Sequence, residues 1–311
     1  MRPTPALDEL FERTLIFPDS DARERLARLV GLDEQKSRLT KMLSALVHPA
    51  GLRAWAKKYH PGAEKLLNFV LRRPPLVVLA GDVGAGKSEL AETIGDAVAR
   101  QENIDLTLFP LSLASRGQGR VGEMTQLLSS AFDHVLTVAE KLKSDSKARG
   151  GVILLVDEAD ALAQSREALQ MHHEDRAGVN AFIRGVDRLA NSRGHVAVIM
   201  CTNRLGALDP AVRRRAAEIL SFCRPDESQR HAVLADPLAT LGLTSGEIAK
   251  LVAIAGPSEG RAYGCTFSDL TQRLIPSIVL DAYPSARVSF ARAAEIARAL
   301  APTPPFQDTQ A

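Results

Sequence analysis

The residues Leu76–Ser88 read LVVLAGDVGAGKS, and this stretch decides the fold. It begins with an apolar run, which is typical of a strand buried on both faces of a parallel sheet. The residues that follow, Gly81–Ser88, match the pattern G-x-x-x-x-G-K-S/T, in which a glycine-rich turn leads from a strand into a helix. Such a turn points successive backbone N–H groups at phosphate groups, and the start of the helix adds a partial positive charge. The sequence therefore predicts a phosphate-binding loop and a helix that begins at Lys87.

Two side chains of this loop have defined roles in nucleotide binding. Lys87 can reach the terminal phosphates, and the Ser88 hydroxyl can bind Mg²⁺. We therefore expect ATP and Mg²⁺ as cofactors. The predicted nucleotide-binding residues of the loop are Gly81, Asp82, Val83, Gly84, Ala85, Gly86, Lys87 and Ser88.

A pair of carboxylates follows a second apolar run, Val152–Val156. Asp157 and Glu158 are then expected at the carboxyl end of a buried strand, where open α/β sheets bind their ligands. Asp157 is predicted to hold Mg²⁺ through water, and Glu158 to act as the general base that polarises the attacking water. An isolated Asp-Glu pair could instead cap a helix, but the phosphate-binding loop upstream favours the catalytic interpretation.

The remaining pattern predicts the order of the domains. A further apolar run, Val196–Cys201, alternates with helical sequence, as in an α/β fold with a parallel sheet flanked by helices. An amphipathic helix is expected over Ala6–Phe17. After Arg224 the sequence is helical without strand-like runs, which predicts a small helical lid. The expected organisation is a helix and linker over 1–28, the α/β nucleotide-binding domain over 29–224, the lid over 225–300 and a disordered tail over 301–311.

Composition narrows the class of protein. The formal net charge is +2, from 39 basic and 37 acidic residues, so the overall charge favours neither nucleic acid nor an anionic membrane as a partner. The cysteines Cys201, Cys223 and Cys265 are odd in number and lack metal-ligand spacing, which fits a reducing compartment. No segment approaches the ~20 apolar residues of a membrane span. A cytoplasmic protein is expected.

The segment after the third apolar run resembles a known family. Thr202-Asn203-Arg204, followed by Leu208–Arg215, is similar to the sensor and arginine-finger segments of AAA+ ATPases. The resemblance extends in family order from Leu29 to Arg224, with a helical lid after it. It implies that the chain is an ATPase in which Asn203 is the polar sensor near the γ-phosphate, and in which Val30 and Gly31 line the adenine pocket.

The resemblance also implies a ring. At this position the family uses arginines to reach the γ-phosphate bound in a neighbouring subunit, and a finger supplied in trans accelerates hydrolysis by ~10³–10⁵ in related systems. Arg214 and Arg215 are the predicted fingers, ahead of Arg213. Without this context a basic cluster is usually a solvated surface. A homo-hexamer is the implied assembly.

Within AAA+ proteins the chain is most similar to bacterial relatives of the pachytene-checkpoint ATPase. The segments that carry this likeness are Val121–Lys141, Asp157–Leu162 and Val179–Ile183. The resemblance implies an ATP-driven remodeller of a HORMA-domain protein. It also implies that the remodeller separates this partner from a cGAS-like nucleotidyltransferase, as a negative regulator of anti-phage signalling.

Two departures from the family pattern bear on mechanism. The predicted pore loop, Gly119, Arg120 and Val121, has an arginine where many remodellers carry an aromatic residue. The stretch Thr266–Leu270 lacks the second sensor arginine expected in the lid. Two alternatives stay open: an AAA+ ATPase that acts on nucleic acid, and a nucleotide switch without turnover.

Overall fold

The computed structural model of the 311-residue chain describes residues 11, 13–113, 123–144, 150–160, 173–192, 194–204, 206, 208–259 and 261–305. The chain divides into two compact units. We call them the sheet unit, which comprises Met1–Leu26, Glu34–Ala80 and Ser88–Ser221, and the lid unit, which comprises Ala27–Asp33, Gly81–Lys87 and Phe222–Ala311.

A six-stranded sheet has the strand order β1-β3-β4-β5-β2-β6. Strands β3, β4, β5 and β2 pair in parallel, whereas β1 pairs antiparallel to β3 at one edge. The residues of β4 from Gly150 to Val156 and all those of β5 are buried, as expected for strands covered on both faces. The strands are β1 Leu15–Phe17, β2 Leu76–Gly81, β3 Asp105–Ser112, β4 Gly150–Asp157, β5 Val196–Thr202 and β6 Ala216–Phe222.

The register of the parallel strands brings the predicted site to one edge. Ala80 of β2 lies opposite Thr202 of β5, and Val156 of β4 lies opposite Met200 of β5. The carboxyl ends of these three strands therefore meet at one edge of the sheet, which is the edge where open α/β sheets bind their ligands. This part of the fold is the one that the apolar runs predicted.

Helices α1 to α8 connect and cover the strands. Helices α6 and α7 pack through Phe132 and Phe182, whose ring centroids are 5.7 Å apart at 71°. Gly185 makes room for this contact, because a Cβ there would lie 2.3 Å from the Phe132 ring. The bounds are α1 Ser20–Arg28, α2 Asp33–Val47, α3 Pro49–Tyr59, α4 Glu64–Leu71, α5 Lys87–Glu102, α6 Glu123–Ser144, α7 His173–Ser192 and α8 Pro210–Arg215.

The lid unit is helical in its described residues after Phe222. Two of its helices begin with capping boxes, Asp226 with Gln229 and Thr244 with Glu247, in which each side chain accepts a hydrogen bond from the other residue's backbone N–H. The helices are α9 Glu227–Thr240, α10 Ser245–Ile254, α11 Ile275–Ala282 and α12 Phe290–Ala299, and a π-helical turn, Asp269–Leu274, leads into α11.

The termini differ from the sequence prediction. The helix expected over Ala6–Phe17 is wrong at its end, because Leu15–Phe17 forms β1 and Phe17 is buried against the Gly95 position of α5. The expected disordered tail does not begin at residue 301, because the Thr303 backbone N–H and hydroxyl both donate to Asp269. Residues 306–311 lie outside the described residues.

Candidate functional site

The phosphate-binding loop adopts backbone conformations that require glycine. Gly81, Gly84 and Gly86 have φ of 146°, 70° and 89°. A Cβ at Gly81 would also lie 1.9 Å from the Phe222 carbonyl oxygen, so no other residue fits there. The predicted strand, loop and helix follow one another as the motif requires, with the helix beginning at Lys87.

Lys87 lies folded over its own loop. Its ammonium group donates to the carbonyl oxygens of Gly81 and Asp82 at 3.0 and 2.6 Å. These bonds neutralise no anionic charge, so a phosphate group competes favourably for the same ammonium. The predicted role of Lys87 in nucleotide binding would require it to exchange these carbonyl groups for phosphate groups.

The two predicted metal ligands are in contact. The Ser88 hydroxyl is hydrogen-bonded to the Asp157 carboxylate, which also accepts from the Glu158 backbone N–H at 2.8 Å. Burial raises the pKa of Asp157, and these two hydrogen bonds oppose the rise. The partly buried Asp157 carboxylate and the Ser88 hydroxyl offer the hard oxygen ligands that suit Mg²⁺. The site therefore fits the predicted cation.

Glu158 has an unusual backbone for its residue type. Its φ is +53°, in the left-handed region, although it is not glycine. The next residue fixes this conformation, because the Ala159 N–H donates to the Cys201 carbonyl oxygen at 3.0 Å. Strained non-glycine residues of this kind concentrate at functional sites, and the general-base role of Glu158 stays a prediction.

The predicted sensor is held by a carboxylate that the sequence analysis did not assign to the site. Asp160 accepts hydrogen bonds from the Thr202 hydroxyl at 2.8 Å, and from the Asn203 backbone N–H and amide at 2.7 and 3.1 Å. Thr202 is 1% exposed. Asp160 therefore ties the end of β5 to the segment after β4 and fixes the Asn203 side chain. The signal in the sequence was a third carboxylate shortly after Asp157-Glu158.

The predicted arginine fingers have different surroundings. Arg215 forms a two-pronged ion pair with Asp187, at 2.7 and 2.9 Å, and also donates to the Ala211 carbonyl oxygen. The hydrogen bonds to Asp187 raise the pKa of Arg215. Arg213 and Arg214 are exposed on the same short helix. This helix begins at the cap Asp209, whose carboxylate accepts from the Ala211 N–H.

The remaining predicted residues are placed as follows. Val30 is partly exposed, and Gly31 has φ of +81° and accepts a hydrogen bond from the Gln229 amide at 2.7 Å. The pore loop Gly119, Arg120 and Val121 lies outside the described residues. Within the described part of the chain, no cluster of three or more His, Cys, Asp or Glu is arranged to hold a metal, and no helix is long and apolar enough to cross a membrane.

Comparison with known proteins gives consistent matches. Residues 77–224 match the ATPase family associated with various cellular activities (AAA). The chain is 65% identical to CD-NTase-associated protein 6 of Escherichia coli strain MS 115-1. This match extends over 311 residues and covers 100% of both chains.

Solved structures agree with these matches. A chain of the E. coli MS115-1 HORMA:CdnC:Trip13 complex has a TM-score of 0.90 and 64% identity, over 98% of this chain and 100% of that one. The structure of Rhizobiales Trip13 has a TM-score of 0.75 and 58% identity, over 95% and 100% of the two chains.

Proposed function

We propose a function from the premise that this chain belongs to the AAA family of ATPases, in the group that includes the proteins named CD-NTase-associated protein 6. The prediction of an α/β AAA fold with ATPase activity is thereby confirmed. What the ATPase acts on, and in which assembly, is the subject of the proposal.

The chain uses ATP hydrolysis to remodel a HORMA-domain protein. In this proposal it separates the HORMA protein from a cGAS-like nucleotidyltransferase and so acts as a negative regulator of anti-phage signalling. One observation carries the proposal: the likeness to a protein solved together with HORMA and CdnC extends over nearly the whole of both chains. Likeness confined to the AAA core would support ATPase chemistry without a partner.

The described residues support each chemical role. Lys87 exchanges its loop carbonyls for the terminal phosphates, and Glu158 orients the attacking water. Asn203 contacts that water or the γ-phosphate in this proposal, and its hydrogen bonds to Asp160, which fix its side chain, support the role. Ser88 and, through water, Asp157 would hold Mg²⁺, which would neutralise the charge that develops on the phosphates.

The assembly in the proposal is a homo-hexamer. Arg214 and Arg215 stabilise the charge of the γ-phosphate bound in the neighbouring subunit. The exposed position of Arg214 supports this role for that residue, whereas Arg215 must leave or share Asp187 to take part. Arg214 is therefore the leading finger of the two.

The test is ATP-dependent disassembly of a purified HORMA–nucleotidyltransferase complex. We expect the parent chain with ATP and Mg²⁺ to separate the two proteins on gel filtration and to lower second-messenger synthesis. Glu158→Gln should still bind ATP but hydrolyse it ~10²–10⁴-fold more slowly, because the general base is removed. It should remain bound to the complex without separating it.

One control variant and two possible results show how the proposal could be refuted. Asp133→Asn, at an exposed ion pair with Arg188, is the control and should behave as the parent does. Normal turnover by Glu158→Gln would refute the assignment of the base. Hydrolysis that DNA stimulates and the HORMA complex does not would favour the alternative that acts on nucleic acid.

A further inference from the structure

The phosphate-binding loop contains a carboxylate. Asp82 follows the first glycine of the loop, and its side chain is 16% exposed. One of its oxygens accepts from the Val83 N–H at 2.9 Å, and the other accepts from Arg224 Nε at 2.6 Å. The negative charge of the Asp82 carboxylate thus lies in the same loop as the backbone N–H groups that are expected to bind the negatively charged phosphates.

Arg224 is held firmly in place opposite this carboxylate. Its Nη1 donates to the Gly264 carbonyl oxygen at 2.7 Å, and its guanidinium carbon lies 4.7 Å from the centroid of the Tyr263 ring. Its Nη2 is buried and has no hydrogen-bond partner among the described residues. Because the guanidinium is 14% exposed, water solvates it little and its charge acts mainly on Asp82.

Two backbone contacts within the lid unit hold the same loop in place. The Asp82 N–H donates to the Phe222 carbonyl oxygen, and the Ser268 N–H donates to the Gly84 carbonyl oxygen, both at 3.0 Å. The loop therefore has fixed positions on either side of the Asp82–Arg224 pair. A substitution at Arg224 changes charge next to the loop while these backbone contacts remain.

The charges decide what the pair does. An unpaired Asp82 carboxylate would repel the phosphate groups of a nucleoside triphosphate at close range, where solvent screening is weak. Arg224 removes this repulsion by supplying the opposite charge at hydrogen-bond distance. We propose that Arg224 is a positioning residue that neutralises Asp82 and thereby sets the affinity of the loop for nucleotides according to their phosphate charge. This inference rests on ATP binding at the loop, which is part of the proposed function.

The experiment measures dissociation constants of AMP, ADP and ATP by calorimetry for four proteins: the parent, Arg224→Gln, Asp82→Asn and the double variant. We expect Arg224→Gln to weaken ATP binding roughly tenfold or more, ADP binding less and AMP binding least, because repulsion grows with nucleotide charge. The double variant should recover an affinity within about threefold of the parent, since no unpaired carboxylate remains.

Arg292→Gln is the matched control. Arg292 pairs with Asp281 between two lid helices, and neither residue belongs to the loop. Its loss should leave all three affinities unchanged. Thermal unfolding of each variant shows that it is folded, and Arg224→Lys, which keeps the charge, should retain most of the ATP affinity.

Specific results overturn the inference. A loss in Arg224→Gln that is equal for AMP, ADP and ATP, or one that persists in the double variant, would mean that Arg224 acts through packing alone. An unchanged ATP affinity in Arg224→Gln would also refute it. A parent protein that binds no nucleotide would instead refute the proposed function, so the two failures are distinguishable.

Discussion

At the scale of residues, the Asp160 carboxylate explains how the sensor keeps its orientation. It accepts one hydrogen bond from the Asn203 backbone and a second from the Asn203 amide. An orienting residue affects the chemical step more than it affects ground-state binding. We therefore infer that Asp160 supports the proposed catalytic arrangement although it need not contact the nucleotide.

We predict that Asp160→Asn lowers kcat by roughly tenfold or more and changes KM for ATP little. Its amide group would place a donor against the Asn203 amide donor, so the sensor would rotate or lose its partner. Steady-state ATPase assays measure both constants, and Asp133→Asn serves as the control on an exposed carboxylate. A rise in KM with normal kcat would contradict the positioning role.

The sequence predicted some of these residues and not others for a physical reason. The roles proposed for Lys87, Ser88, Asp157 and Glu158 follow from their positions next to a strand or within a loop. Asp160 acts through a hydrogen bond to a residue 43 positions away, and Asp82 pairs with an arginine 142 positions away. Contacts between distant segments leave no local pattern to detect.

At the scale of elements, the sequence predicted only the strands that have a clear local pattern. The continuous apolar runs of β2, β4 and β5 predicted buried strands correctly. Strand β3 contains Pro110 and β6 contains Glu218, so neither is a continuous apolar run, and Leu15–Phe17 is too short to show a period. Strands β2, β4 and β5 were therefore predictable, and β1, β3 and β6 were not.

The π-helical turn in the lid has its own stabilising charge. Asp269 is 1% exposed. Burial alone would raise its pKa, but hydrogen bonds from Thr266, Thr303 and Arg273 outweigh burial and lower the pKa from 3.8 to about 2. A carboxylate with a lowered pKa stabilises the folded state above its unfolded pKa, and this contribution is lost as pH falls from about 4 to about 2.

We predict that Asp269→Asn lowers the free energy of unfolding of the lid by about 2 kcal/mol at pH 6. The difference from the parent should shrink as pH falls from about 4 towards 2, because protons then bind the unfolded parent chain before they bind the native carboxylate, whose pKa is about 2. Urea unfolding followed at several pH values measures this difference. Asp281→Asn, at a more exposed ion pair, should change stability much less. A difference that is constant with pH would mean that shape, and not charge, is responsible.

At the scale of the whole molecule, Arg214 and Arg215 at the end of α8 allow a structural role to be distinguished from the proposed intersubunit role. Arg215 joins α8 to α7 through Asp187, so its removal affects the subunit itself. Arg214 is exposed, so its removal should affect only what lies beyond the subunit. Comparison of the two variants therefore tests the proposed ring.

We predict that Arg214→Ala, mixed into the parent protein, lowers ATPase activity by more than dilution accounts for, without a change in thermal stability. A site completed by a neighbour loses activity whenever either subunit is defective. Arg215→Ala should lower thermal stability as well, because Asp187 loses its partner. Arg188→Ala removes an exposed ion pair and is the control. When it is mixed with the parent protein, the ATPase activity should fall by no more than the fraction of variant added. Activity strictly proportional to the parent fraction with Arg214→Ala would argue for a site complete within one subunit.

The left-handed backbone at Glu158 has a consequence for which residues are selected at this position in a library of variants. Glycine adopts this conformation without strain, and a non-glycine residue there costs on the order of 1–3 kcal/mol. A library of variants screened only for heat resistance should accumulate glycine or asparagine at this position, whereas one screened for turnover should keep glutamate. Opposite outcomes from the two screens would identify position 158 as a place where evolution has exchanged robustness for catalysis.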